Sequence, residues 1–314
     1  RAVLSCLGTE SFEVLRLVPE SCLRMGIIQS HDPGPYANAQ NYVKWIDVMV
    51  GVSKEISRHL ATLPGYSRIE TIPYGISFIE AKRTEILPDE PLRVIYLGRM
   101  AEEQKRVGRL VELVKLLEQR NENIIFTFAG QGPQLPEMRR ALSGSHITKF
   151  LGEVQNHTVQ NQLASQDVFV LLSDFEGLPL TLLEAMGQGV VPVVSDLKSG
   201  IRDVIDASCG ICVPTGDVQA AANEISKLNR NRVQLREMSR SARTIARKNF
   251  TAGQMADKYL RLVENLAPPS VAWPKNVSIR VPLGLSPVLF SGLPRIGRRF
   301  LKKYLRGFFG NKSS

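Results

Sequence analysis

Residues 167–199 read DVFVLLSDFEGLPLTLLEAMGQGVVPVVSDLKS, and the rest of the chain is placed relative to them. Residues 168–173 form an almost unbroken apolar run, the pattern of a parallel strand covered on both faces. Residues 174–179 read as a turn, with Pro179 where a helix has its first residue. Residues 180–188 carry helical spacing, and Gly189 stops them. Residues 190–195 are a second apolar strand. The unit is strand–loop–helix–strand, with the crossover that a parallel sheet requires.

The chemistry of this unit sits at the N-terminus of its helix. The amides of Gly177, Leu178 and Leu180 are left without intrahelical partners there, and the helix dipole adds positive potential. Such an end suits an anion, most often a phosphate, and Gly177 has no side chain to obstruct one. Two carboxylates frame it. Glu176 lies on the loop, and Glu184 leans back toward the ligand end because helical side chains tilt N-terminally. Each carboxylate offers two acceptor oxygens for a pair of sugar hydroxyls. Phosphate-binding amides beside two such carboxylates describe a nucleotide-sugar site. On spacing alone, a solvated Glu at a helix start plus a chance buried one is the equal alternative.

The stretch from Glu176-Gly-Leu-Pro-Leu through Glu184-Ala-Met, followed by Gly189-Val-Val-Pro-Val-Val-Ser, resembles the signature of the retaining glycosyltransferases of family 4 (group 1). The resemblance implies a GT-B fold, two Rossmann-like domains facing across a cleft. It also implies that Glu176 contacts the transferred sugar and Glu184 the ribose of the nucleotide.

Composition narrows the class. At 314 residues with 43% hydrophobic content, the chain is long enough for one large or two ordinary globular domains. The four Cys lack the spacing of a small secreted scaffold, which points to a reducing compartment. Cys209 and Cys212 form a C-x-x-C, but in an apolar strand rather than at a helix start, so a redox role is not expected. No apolar run reaches about 20 residues, as a spanning helix requires, and no signal peptide opens the sequence. The net charge of +10 is concentrated: residues 270–314 hold nine Lys or Arg and no acidic residue. That excess belongs to a tail and does not argue for nucleic-acid binding.

Upstream, residues 25–29 read as a strand, followed by a loop carrying His31. A helix is expected over 38–46 and a strand over 47–52. Ser53 is expected to cap a helix from Lys54, and 69–72 is a further strand. This order resembles the second half of the family's N-terminal, acceptor-side domain, without that domain's Gly-rich first strand. His31 then takes the position where the family carries a His facing sugar or acceptor. Strand ends are where ligand sites of α/β sheets form. Residues 77–91, charged and Pro-bounded, read as a linker.

The second domain, 92–250, repeats strand and helix. Arg99 and Lys105 follow its first strand, and the resemblance makes them the cations of the donor diphosphate, a role Arg fills bidentately. The turn at Gly130 passes near the donor in the family. Its lone G-x-G is weak evidence by itself, because position 135 is Leu where a dinucleotide fingerprint needs Gly. Asp217 is expected to cap a helix to about 228, and 230–248 to form one long polar helix. Residues 251–266 read as an amphipathic return helix.

The tail, 267–314, opens with six Pro by position 294. Residues 295–309 follow as a basic amphipathic segment suited to an anionic membrane surface.

The expectation is therefore an α/β protein of GT-B type whose N-terminal Rossmann-like domain is partial. It moves a sugar from a UDP-, GDP- or ADP-sugar to a glycan, lipid-linked or small-molecule acceptor. No metal and no cofactor beyond the donor is expected, and the location is cytoplasmic, peripheral on the inner membrane face. A non-catalytic nucleotide-sugar-binding or membrane-held module is the rival reading.

Overall fold

Apolar runs long enough for one strand each, separated by amphipathic segments, become two parallel sheets. The computed structural model describes residues 2–6 and 8–266. The smaller lobe comprises β1 (Ala2–Ser5), α1 (Gly8–Glu13), β2 (Leu23–Ile28), α2 (Pro33–Asn41), β3 (Val48–Gly51), α3 (Lys54–Leu60) and β4 (Ile69–Thr71). Its strands pair in sequence order, all parallel, with Met25 opposite Val48 and Met49 opposite Ile69.

Three local outcomes differ from, or refine, the sequence reading. First, β1 is too short to carry a period, and the sequence gives no sign of it. Second, the helix expected over 38–46 starts five residues earlier and ends at Asn41. Asp32 caps it through Gly34 N and Pro33 opens it, while residues 43–45 turn as a 3-10 helix. The preference of Pro for a first helical turn outweighs the apolar spacing. Third, Ser53 caps α3 as expected, accepting a bond from Ile56 N at 3.2 Å.

The larger lobe runs β5 (Leu92–Leu97), α4 (Val107–Gln119), β6 (Ile124–Ala129), α5 (Leu135–Ala141), β7 (Thr148–Gly152), α6 (Val159–Ala164), β8 (Val168–Leu171), α7 (Leu180–Gly187), β9 (Val191–Ser195), α8 (Ile201–Val204), β10 (Ile211–Val213), α9 (Val218–Arg230) and α10 (Arg232–Asn249). Its sheet order is β10-β9-β8-β5-β6-β7, again parallel. The order reverses between β5 and β8, and the loops after these two neighbours emerge side by side.

Asp217 caps α9 through Ala220 N at 2.8 Å. The long polar helix expected over 230–248 is divided from α9 at Asn231, which accepts from Gln234 N to cap α10. The four cysteines are free, and burial raises the Cys209 thiol to about 11.

Residues 77–91 are a strap fastened to the larger lobe. Phe78 lies against Gly187 at the end of α7. One face of α10 grips the strap: Arg232 donates to Glu90 O at 2.9 Å, Arg236 to Ile86 O at 3.2 Å and Arg247 to Ile79 O at 2.6 Å. Arg83 reaches inward to Asp167, Gln166 O and Gly189 O.

The strap and the chain after α10 cross where Ile76 N donates to Phe250 O at 2.8 Å and Ala252 N to Ile76 O at 3.0 Å. From there α11 (Ala252–Leu266) runs onto the smaller lobe, where Leu266 lines a hollow with Leu23 and Val48. Among the described residues no helix is long and apolar enough to cross a membrane. The basic segment 295–309 lies outside the described residues.

Arg83→Ala removes one of two arginines from the 1%-exposed Asp167 and unties the strap. Chemical denaturation is expected to show a loss of about 1–3 kcal/mol, less than for a fully orphaned charge because Arg93 stays paired.

Candidate functional site

The loops after β5 and β8 build the floor of the site. Asp174 N donates to Gln104 O at 3.0 Å, and the Gln104 amide donates back to Phe175 O at 3.0 Å and to Glu176 at 3.4 Å. Arg106, at the start of α4 with a left-handed φ of 47°, and Arg109 both engage Asp174. Burial alone would raise the Asp174 carboxyl, but these bonds outweigh it and hold it below its ordinary value.

Glu176 is 5% exposed, and a carboxylate so buried needs a partner. Lys105 supplies it, with Nζ 2.6 Å from Oε1. Arg99 is exposed, its guanidinium 3.3 Å from the Gln104 side chain, and the Tyr96 hydroxyl donates to its carbonyl at 2.7 Å. The structure thus brings Arg99, Lys105 and Glu176 together through Gln104. The two residues expected to face diphosphate and sugar separately are here paired with each other.

The glycines are explained by backbone contact. Gly130, with φ of +130°, lies so close to the β5 turn that an added Cβ would stand 2.0 Å from Gly98 O. Its role in this structure is to lock two turns together. At Gly177 the expected reason was open access for a ligand. An added Cβ there would stand 1.9 Å from Gln29 O and 3.3 Å from Ser30 Cα, so the space belongs to the smaller lobe. His31 is the residue that follows this contact, and its ring lies against Tyr36 and His59.

Helix α7 begins at Leu180, with Pro179 at the cap position and no side-chain cap bond. Leu178 is buried and Leu180 is exposed. Glu184 lies in the second turn. Among the described residues no hydrogen bond or ion pair to its carboxylate is present, and burial pushes it up to about 7. It is a desolvated acceptor without a donor.

Sequence reasoning did not single out Gln104, or Asp174 with its two arginines. Asp174 stood in the quoted turn next to the motif. Gln104 carries no signal, because its bonds into the floor go to Phe175 and Glu176, about 70 residues away.

The family model for glycosyl transferases group 1 matches residues 77–248. The amylovoran biosynthesis glycosyltransferase AmsK of Erwinia amylovora is 28% identical over 188 residues, 57% of this chain and 46% of AmsK. The chain thus spans about half the length of that relative. A TarM variant from S. aureus, crystallised with fondaparinux, α-GlcNAc-glycerol and UDP, superposes with a TM-score of 0.73 at 19% identity, covering 83% of this chain and 55% of TarM. HepE from Anabaena, crystallised with UDP and glucose, gives 0.71 at 14% identity, covering 84% of this chain and 78% of HepE. At such identities the structural matches establish the fold, which is GT-B.

The Glu184 carboxyl titrates higher in the folded chain than in the unfolded one. Rising pH therefore favours unfolding between about 4.5, its ordinary value, and about 7, and the destabilisation is complete above that. Glu184→Gln removes it. Paired denaturation curves are expected to coincide near pH 4.5 and to separate by about 1–3 kcal/mol in favour of the variant at pH 8.

Proposed function

Because the chain belongs to the group 1 glycosyl transferases, we propose that it binds a nucleoside diphosphate sugar against α7 and transfers the sugar with retention of configuration. One observation carries this reading: an uncapped helix start stands beside Lys105 and Arg99, with an unpartnered carboxylate, Glu184, one turn inside.

The roles follow from charge. As the bond from sugar to diphosphate breaks, negative charge grows on the departing phosphate oxygens. The amides opening α7 are fixed donors for that charge, and Arg99 and Lys105 are fixed cations. Glu176, held by Lys105 and Gln104, has one carboxylate in a set orientation for the sugar hydroxyls. Arrival of a diphosphate gives Lys105 a second anion to serve, so Lys105 couples occupation of the phosphate position to the orientation of Glu176. Glu184 accepts from the ribose hydroxyls, and two such bonds favour its ionised form. His31 lines the acceptor side.

Acidic groups elsewhere in the floor are already engaged: Asp174 by Arg106 and Arg109, Glu176 by Lys105. The cationic work is therefore assigned to side chains and amides, with no metal or further cofactor. AmsK carries amylovoran biosynthesis in its name, and a cell-envelope or extracellular glycan is the acceptor class we assign. A lipid-linked acceptor would accord with segment 295–309 lying on an anionic inner membrane surface.

Calorimetric titration with UDP, GDP and ADP tests the donor site. One nucleotide is expected to bind in the micromolar range, and Glu184→Ala to weaken it by about 10-fold to 100-fold, the loss of two charge-assisted bonds. Absence of binding to all three would overturn the reading. Because the ionised carboxylate is the binding form, affinity is expected to fall as pH drops below about 7.

A further inference from the structure

We propose that Tyr36 is a positioning residue that holds His31 as the neutral tautomer carrying its proton on Nε2, so that His31 meets its ligand as a hydrogen-bond donor. The inference rests on the reading of His31 as a residue of the proposed site.

Tyr36 sits in the first turn of α2, 6% exposed, with its hydroxyl 2.6 Å from His31 Nδ1. Burial raises the phenol well above its ordinary range, so it keeps its proton at neutral pH. Among the described residues that hydroxyl has no other polar partner. If Nδ1–H donated to the phenol oxygen, the phenol proton would be left without an acceptor in a buried place. If the phenol donates, its buried proton has an acceptor in Nδ1. Nδ1 then accepts, and in a neutral imidazole the proton must sit on Nε2.

The surroundings keep the ring neutral. His59, on α3, stands edge-on to His31 with centroids 5.5 Å apart, and its ring is 4.3 Å from that of Tyr36. Burial and then His59 oppose a charge on His31, while Glu55 of α3 and Asp32 at the start of α2 favour one. The balance is downward. The ring also has little freedom to flip, because Tyr36 and His59 both stand edge-on to it. With Nδ1 committed, Nε2–H is the atom left to act. It gives a hydrogen bond to a hydroxyl or phosphate oxygen and does not take a proton from one.

Nitrogen-15 spectra of the imidazole groups across pH 5–8, recorded on the whole chain, test this. The expected signature for His31 is a protonated Nε2 and an unprotonated Nδ1, with a midpoint below that of free His. Tyr36→Phe keeps the ring in place and removes the donor. Both tautomers should then be populated, and the midpoint should rise by about 0.5–1 pH unit, the equivalent of one neutral hydrogen bond. His59→Gln, at an exposed position, should raise the midpoint while leaving the tautomer unchanged.

A wild-type ring protonated on Nδ1 overturns the proposal, as does a His31 spectrum unmoved by Tyr36→Phe. If Tyr36→Phe does not fold, the wild-type tautomer and the His59→Gln titration decide. Nucleotide titration of the same samples reads the donor site separately. Failure there would sink the proposed function while leaving the tautomer result standing.

Discussion

A carboxylate buried at the foot of the larger sheet sets much of this architecture. Asp167 is 1% exposed, and such a charge survives only if fully paired. Arg93 meets it with its backbone amide at 3.0 Å and a two-pronged guanidinium at 2.8 Å, which ties the start of β5 to the start of β8. Arg83 comes from the strap to the same carboxylate. One charge thus aligns two neighbouring strands and fastens the connection that leads to them. At the other end of these two strands their loops emerge together, and the floor containing Gln104, Lys105 and Glu176 is assembled there. The ion cluster at one edge of the sheet and the site at the other are linked through strand register.

The strap extends the same logic. A charged, Pro-bounded segment between two domains reads as a linker when only local composition is considered. Here its carbonyls are taken up by a row of arginines on α10, whose sequence reads as a polar surface helix. Neither half is interpretable alone. Where the strap meets the chain after α10, near Ile76 and Thr251, the two segments pass with a main-chain bond on each side.

This explains which features were legible in the sequence. Strands β5, β8 and β9 announced themselves because strands covered on both faces are short, mostly apolar runs. Ser53 and Asp217 announced helix starts because their side chains act within three residues. The family signature marked the start of α7 because its residues are contiguous. By contrast, β1 has four residues and no period to detect. The start of α2 is hidden because Asp32 and Pro33, the cap and the first turn, have the composition of a loop. The pairing of Lys105 with Glu176, and the bonds of Gln104 to Phe175 O and Glu176, join positions about 70 residues apart. Long-range partnership leaves no local trace. Gly177 was legible as a place that forbids a side chain, but the object filling that space, the Gln29 carbonyl, belongs to another lobe.

That contact between Gly177 and Gln29 is made by main-chain atoms on both sides. A carbonyl oxygen is the same whatever side chain its residue carries. The joint is therefore blind to the identity of residue 29, while it tolerates only glycine opposite. The steric constraint falls unequally: residue 177 has no room for a Cβ, whereas the contact at residue 29 is made by its carbonyl. Surface chemistry on the smaller lobe can be rewritten by mutation without losing alignment to the larger one. In mechanical terms the joint is an asymmetric coupling: a socket that admits no side chain facing a plug made of main chain.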